Sequence, residues 1–292
     1  MSLNKRPDLN EKTVDRLLGI KSRDRKAHVM GILNVTPDSF YDGGRYDSLE
    51  SAFRQALQME KDGADIIDIG GESSRPGSNP VSIEEECSRV LPVLKRIRQR
   101  TKIPISIDTT KAEVARRAID NGADLINDIS ALRFDKQMCK VISEARVPVI
   151  LMHMRGTPEN MQQNTQYDDL YENVVTFLQT QIDYAEKNGI NGDKIIIDPG
   201  IGFGKSTEGN LSLLANLDRL ASFGKAIAVG CSRKSFIGNL LGCSPDERLL
   251  GSLAALAQSA FKGADIVRVH DVEQCVKFLT VFEAIGKESF HS

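Results

Sequence analysis

Asp62-Gly63-Ala64-Asp65-Ile66-Ile67-Asp68-Ile69 reads as a helix end, a tight turn and the start of a buried strand. The glycine can take a positive φ at a helix C-terminus, and the alanine lets the chain turn closely into the strand. The same joint recurs at Asn121-Gly-Ala-Asp124 and Lys262-Gly-Ala-Asp265, each ending a helical pattern and beginning an apolar run. One helix-to-strand device used three times points to a repeating βα architecture.

Outward from this joint, eight short apolar runs rich in β-branched residues alternate with helical patterns. They are His28–Val35, Ala64–Ile69, Ile103–Ile107, Leu125–Ile129, Val147–Met152, Lys194–Ile197, Ala226–Val229 and Ile266–Val269. Near-continuous hydrophobicity marks strands buried on both faces. Between them, Leu49, Ala52, Phe53, Ala56 and Leu57 form an amphipathic stripe. Ser82 with Glu85 predicts a capping box, and Ser244-Pro245 with Glu247 predicts another. Eight βα units in 292 residues fit a single α/β domain, a (β/α)8 TIM barrel with its active site at the C-terminal ends of the strands. No Gly-x-Gly-x-x-Gly follows the first run, which speaks against a dinucleotide-binding sheet. The expected organisation is an N-terminal extension over 1–27, the barrel over 28–285 and a tail over 286–292.

Composition excludes several classes. The formal net charge is −2, with 27% charged and 40% hydrophobic residues, so nothing global draws the chain to nucleic acid or membrane. The five cysteines, Cys87, Cys139, Cys231, Cys243 and Cys275, are odd in number and lack CxxC spacing, as expected of reduced thiols. Met1 to Lys12 has no apolar signal core, and no later run is long enough to span a bilayer. A soluble cytoplasmic protein is the expectation.

A barrel's chemistry collects at its strand ends, and here those ends are unusually polar. They carry Asn34, the Gly70–Gly77 segment, Asp108, Asn127 with Asp128, His153, Asp198 with a glycine-rich stretch to Lys205, Ser232 to Ser235, and Arg268 with His270. An Asp or Asn after a strand is often only a helix cap or Asx turn, but this many at one end exceeds what capping needs. Asp108, Asn127, Asp198 and Lys234 suit the amino-oxopyrimidine edge shared by guanine and pterins, through paired N–H bonds to carboxylate, an amide that gives and accepts, and an ammonium donor. A buried Asp–Lys ion pair holding the barrel together is the other reading of the same residues. Arg75, Arg268, His270 and Lys205 form a cationic set suited to phosphate, and the amide oxygen of Asn34 suits hydrated Mg²⁺. His270 alone could equally be a strand-end histidine held by its neighbours. With four histidines and neither His-x-His nor His-Glu-x-x-His, zinc is not expected.

The strings Met30-Gly-Ile-Leu-Asn-Val-Thr-Pro-Asp-Ser-Phe40, Gly71-Glu-Ser-Ser-Arg-Pro-Gly77, Asp198-Pro-Gly-Ile-Gly-Phe-Gly-Lys205, Ser232-Arg-Lys-Ser-Phe236 and Arg268-Val-His-Asp-Val272 together resemble the dihydropteroate synthases. Ser106-Ile-Asp-Thr109, Ile126-Asn-Asp-Ile129 and Met152-His-Met-Arg-Gly-Thr-Pro158 extend the resemblance over about residues 28 to 285. It implies a transferase of folate biosynthesis that displaces diphosphate from 6-hydroxymethyl-7,8-dihydropterin diphosphate with the amine of 4-aminobenzoate. On this resemblance Asp108, Asn127, Asp198 and Lys234 hold the pterin. Asn34, Arg75, Arg268 and His270 hold the diphosphate, with Mg²⁺ at Asn34. Phe40, Ser74, Arg75, Pro76, Phe203 and Ser235 shape the aminobenzoate site, and Asp108, Asp198, Lys234, Arg268 and His270 form the catalytic set. The resemblance also implies a homodimer inhibited by sulfonamides. The family usually has threonine at Ser74, a small residue at Tyr41, phenylalanine at Ile201 and often an aromatic at Thr110; none of these departures removes a charged group from the site. Two rivals stand beside this reading. One is a methyltetrahydrofolate-dependent methyltransferase, which would share the pterin pocket but need no diphosphate cradle. The other is a non-catalytic pterin-binding paralogue.

Overall fold

A computed structural model of the chain describes residues 27–36 and 45–288. Eight parallel strands close into one barrel in sequence order: β1 (His28–Asn34), β2 (Ile66–Gly70), β3 (Ile105–Asp108), β4 (Leu125–Asp128), β5 (Val149–Met152), β6 (Ile195–Asp198), β7 (Ala226–Val229) and β8 (Ile266–Val269). Each falls within or one residue beyond an expected apolar run. The helices are α1 (Arg45–Lys61), α2 (Ile83–Arg98), α3 (Ala112–Asp120), α4 (Met138–Ala145), α5 (Leu170–Lys187), α6 (Thr207–Ala215), α7 (Ser235–Leu241), α8 (Leu249–Phe261) and α9 (Val272–Glu288). The last helix runs past the expected barrel boundary at 285. Phe40, Tyr41 and the segment assigned to an N-terminal extension, save Ala27, lie outside the described residues.

Both faces of the strands are buried, as their composition requires. Outward residues such as Leu33, Ile67, Ile107 and Val267 pack against the helices, and the α1 stripe from Leu49 to Leu57 joins this layer. Inward residues Met30, Ile66, Leu125, Ile150, Ile196, Ala226, Ala228 and Ile266 fill the lower barrel with a separate apolar cluster. Each large aliphatic so buried stabilises the fold by about 1.5–3 kcal/mol.

The Gly-Ala-Asp joint has the same form in all three places. Gly63, Gly122 and Gly263 have φ of 96°, 96° and 91°. The alanine and glycine N–H groups return to the helix in a Schellman pattern: Ala64 to Met59 and Gly63 to Glu60, repeated at 122–123 and 263–264. The aspartate then clasps the neighbouring strand. Asp65 exchanges bonds with Val29, Asp124 with Ile105 and Asp265 with Ile227, the carboxylate accepting from the strand N–H at 2.8 Å each time. Its own N–H donates to the same residue's carbonyl. The repeat therefore fastens β2, β4 and β8 onto the strand before each at the barrel floor.

The caps differ in detail from expectation. Ser82 accepts from the Glu85 N–H, but the Glu85 carboxylate turns to Arg89 instead of closing a box. The Ser244–Glu247 box closes, yet it opens a single 3-10 turn ahead of α8.

Asp124→Ala removes one clasp. It should lower the unfolding free energy by about 1–2 kcal/mol, the usual worth of such hydrogen bonds, measured by urea unfolding, and leave the opposite end of the barrel unaltered.

Candidate active site

Above the apolar layer, the inward positions of the strands turn polar. Arg268 of β8 donates from Nε to Asp68 of β2 at 2.6 Å and from Nη2 to Asp108 of β3 at 2.8 Å. Asn127 of β4 donates from Nδ2 to the same Asp68 oxygen at 3.3 Å. The register sets these heights, since Asp108 pairs with both Gly70 and Asn127 while Asp68 lies one inward step lower, opposite Ser106. Asn34 ends β1 beside Gly70, and its Oδ1 and Asp108 flank the space above that glycine. Asp108 and Asn127 are thus brought together with Arg268, which the sequence places in the separate cationic set, and Asp68 is an added centre.

Asp198 and Lys234 form the opposite wall. Asp198 accepts from the Gly200 N–H at 2.7 Å. Burial lifts its carboxyl to about 6, against the pull of that N–H and of Lys234. Burial also lifts Asp108, with Arg268 opposing. Lys234 stands 4.0 Å over the Phe203 ring, a cation–π contact. Burial and then the repulsion of Arg268 lower its ammonium to about 8. Phe203 belongs to a small apolar cluster with Ile129, Met152, Met154 and Met161.

His270 is held by Ser232, whose hydroxyl accepts from the His270 backbone N–H at 3.2 Å and lies 3.1 Å from Nδ1. Burial, followed by Arg268, pushes this imidazole down to about 4, so it is a neutral donor at pH 7.

The second loop is tied down at its base. Lys111 bridges Glu72 and the fully buried Glu86, at 2.6 Å from the latter. Glu72 also accepts from the Val81 N–H, and Gly77 donates to the Pro158 carbonyl. A small cleft beside this anchor is lined by Ser73, Ser74, Asp108 and Lys111 among others. Arg75 and Pro76 at the loop tip are exposed, and the Arg75 guanidinium has no hydrogen bond among the described residues. Ser235 is exposed at the start of α7.

Lys205 departs from the expected cationic set. It is buried, and its ammonium donates to the carbonyls of Gly200 and Phe203 at 2.8 and 2.9 Å and to His153 Nδ1 at 2.9 Å. With all its donors directed inward it staples the loop after β6 to the end of β5, away from any phosphate. Three residues escaped the sequence reading: Asp68, Glu86 and Lys111. Asp68 left a signal, a lone acid among isoleucines in a buried run.

This geometry has known counterparts. The sequence model described as "Pterin binding enzyme" matches residues 30–270. Dihydropteroate synthase of Synechocystis is 48% identical over 264 residues, covering 90% of this chain and 91% of that one. The structure of Xanthomonas albilineans dihydropteroate synthase with 4-aminobenzoic acid superposes with a TM-score of 0.85 at 46% identity, over 90% of this chain and 94% of that one. That of the Yersinia pestis enzyme with a sulfonamide drug gives 0.85 at 43%, over 92% and 96%. With the family model matched over residues 30–270 and relatives alike in sequence and barrel over nine-tenths of their length, this chain belongs to the pterin-binding enzymes, in the dihydropteroate synthase family.

Proposed function

We propose that the chain joins 6-hydroxymethyl-7,8-dihydropterin diphosphate to 4-aminobenzoate, releasing diphosphate and 7,8-dihydropteroate. The observation that carries this reading is the pairing, in one barrel mouth, of a deep carboxylate–amide–ammonium set with an arginine that keeps one edge unoccupied. Asp108, Asn127, Asp198 and Lys234 hold the pterin ring, whose guanidine-like edge donates to carboxylate oxygens. Nη1 of Arg268 carries no bond among the described residues and, with His270, Asn34 and Arg75, receives the diphosphate. A methyltransferase would have no use for this cradle.

The carbon–oxygen bond to diphosphate breaks first. The electron-rich dihydropterin spreads the positive charge left on its methylene, and Asp108 and Asp198 stabilise it as preorganised anions. The aromatic amine then adds and loses its proton. Ser74, Pro76, Phe40, Phe203 and Ser235 shape the aminobenzoate site, which sulfonamides also enter; the 4-aminobenzoic acid and the sulfonamide held by the relatives support this.

Mg²⁺ fits the donor set. No group of three or more His, Cys, Asp and Glu side chains suited to a metal exists among the described residues, and Mg²⁺ commonly takes few protein ligands beside substrate phosphates and water. Asn34 would hold it, and when bound it would offset the charge on the leaving diphosphate.

The protein works as a homodimer. Leu240 and Leu241 of α7, Leu250 and Phe261 of α8, and Val281 and Ile285 of α9 are exposed on helices that pack side by side. A cytoplasmic location fits a folate-pathway enzyme in which no described helix is long and apolar enough to cross a membrane.

A turnover assay with the pterin diphosphate, 4-aminobenzoate and Mg²⁺ tests the reading. Product should form, stop in excess EDTA and resume on adding Mg²⁺; product formation unaffected by EDTA would remove the metal from the scheme. Asp198→Ala should cost about 2–5 kcal/mol in affinity for a pterin analogue, read by calorimetry. The ring needs the ionised carboxylate, and this carboxyl titrates at about 6. With Asp108 lifted to about 7, parent affinity should hold above about 7 and fall as the pH drops through both values, and the variant should lose the lower part of that fall. Light scattering at micromolar concentration should give twice the 32.2 kDa of one chain.

A further inference from the structure

We propose that Asp68 is a positioning residue that fixes two substrate-facing groups at once, the amide of Asn127 and the guanidinium of Arg268. The inference rests on the function proposed above. Asp68 interrupts the isoleucines of β2 and is wholly buried. It lies one inward step beneath the layer of Asp108 and Asn127, so it supports that layer from below.

Burying a carboxylate costs several kcal/mol, and the ion pair it forms seldom repays this as net stability. Here the cost is not fully offset, since Oδ1 of Asp68 has no hydrogen-bond partner among the described residues. Apolar packing, as elsewhere in the lower barrel, would serve stability better. What the acid supplies is orientation.

Its Oδ2 accepts from Asn127 Nδ2 at 3.3 Å. An inverted amide would set oxygen against oxygen, so Nδ2 must face down, and Asn127 Oδ1 is left to accept from a ring N–H. The same Oδ2 takes the Nε proton of Arg268 at 2.6 Å, while Asp108 takes one from Nη2 at 2.8 Å. Each acid thus holds one N–H of the same guanidinium edge. Without Asp68, that edge can turn both donors onto Asp108 in the bidentate arrangement arginine favours. The carboxylate that should read the pterin would then be occupied, and the Nη1 edge would swing from the anion.

The test compares Asp68→Asn with the parent. Calorimetry with a pterin analogue should show affinity weakened about tenfold or more, the scale of a lost hydrogen bond to a charged group. The KM for the pterin diphosphate should rise with it, while the KM for 4-aminobenzoate stays unchanged. In an Asn127→Ala background, the Asp68→Asn effect should shrink, because one of its two targets is gone. A folded Asp68→Asn that binds the analogue as the parent does overturns the proposal, even if it melts at a lower temperature. So does an effect of equal size with and without Asn127. If Asp68→Asn does not fold, Asp68→Ser is read by the same criteria. A parent with no affinity for the analogue would instead overturn the functional reading itself.

Discussion

The guanidinium of Arg268 binds carboxylates from two other strands, Asp68 of β2 and Asp108 of β3, and it reaches them only because the sheet closes. β8 pairs with β1 through Met30 and Arg268, and β1 pairs with β2 through Ile32 and Asp68. An open sheet would leave β8 far from β2 and β3 and strand three charges in the interior. Closure thus converts residues 200 and 160 positions apart into one ion-paired layer. The neighbouring groups inherit their setting from it. Burial shifts each of them most, and the positive charge of Arg268 adds to the lowering of His270 and Lys234 and opposes the rise of Asp108 and Asp198.

That charged layer needs stability from elsewhere. Buried ions are weak contributors to folding free energy, and the lower barrel, filled by aliphatic side chains, supplies what the upper half does not. The Asp clasps add backbone fastening at the floor, at the end of the barrel opposite the polar mouth. Stability and chemistry are therefore separated along the barrel axis, with the boundary between the Ile66 and Asp68 levels.

Most of this order was legible in the chain. Strand positions followed from apolar runs, and the Gly-Ala-Asp joint disclosed the βα repeat because its glycine and aspartate have local roles within a few residues. Asp108, Asn127, Asp198 and Lys234 stood out because they lie at or just past the ends of apolar runs. Asp68 was missed for a physical reason. It lies inside a run, and only register and closure reveal that it faces inward, level with Ser106 and under Asn127. Lys111, Glu72 and Glu86 are 39 and 25 positions apart, beyond any local pattern. Lys205 misled because a lysine after a glycine-rich loop looks suited to phosphate, whereas its donors are spent on carbonyls.

The path from Lys205 to the wall of Asp198 and Lys234 explains why a buried lysine stands where an apolar residue would pack more cheaply. Gly200 has a φ of 69°, and a Cβ there would lie 1.9 Å from the His153 carbonyl oxygen. The loop therefore passes against the end of β5 with no room for a side chain, and its inward carbonyls need donors. Lys205 meets two of them, and its third acceptor is His153 Nδ1. That bond makes Nε2 the protonated nitrogen of His153, which faces the Asn173 Oδ1 at 3.3 Å. The imidazole is neutral, its pKa lowered by burial and then by Lys205. With the loop so held, Phe203 is fixed under the Lys234 ammonium and the Gly200 N–H is fixed on Asp198. Asp198 and Lys234 are thus positioned by one loop, and that loop by one lysine. Asp68 holds Asn127 and Arg268 in the same way across the mouth, so each wall is oriented by a buried polar group that lies beneath or behind it.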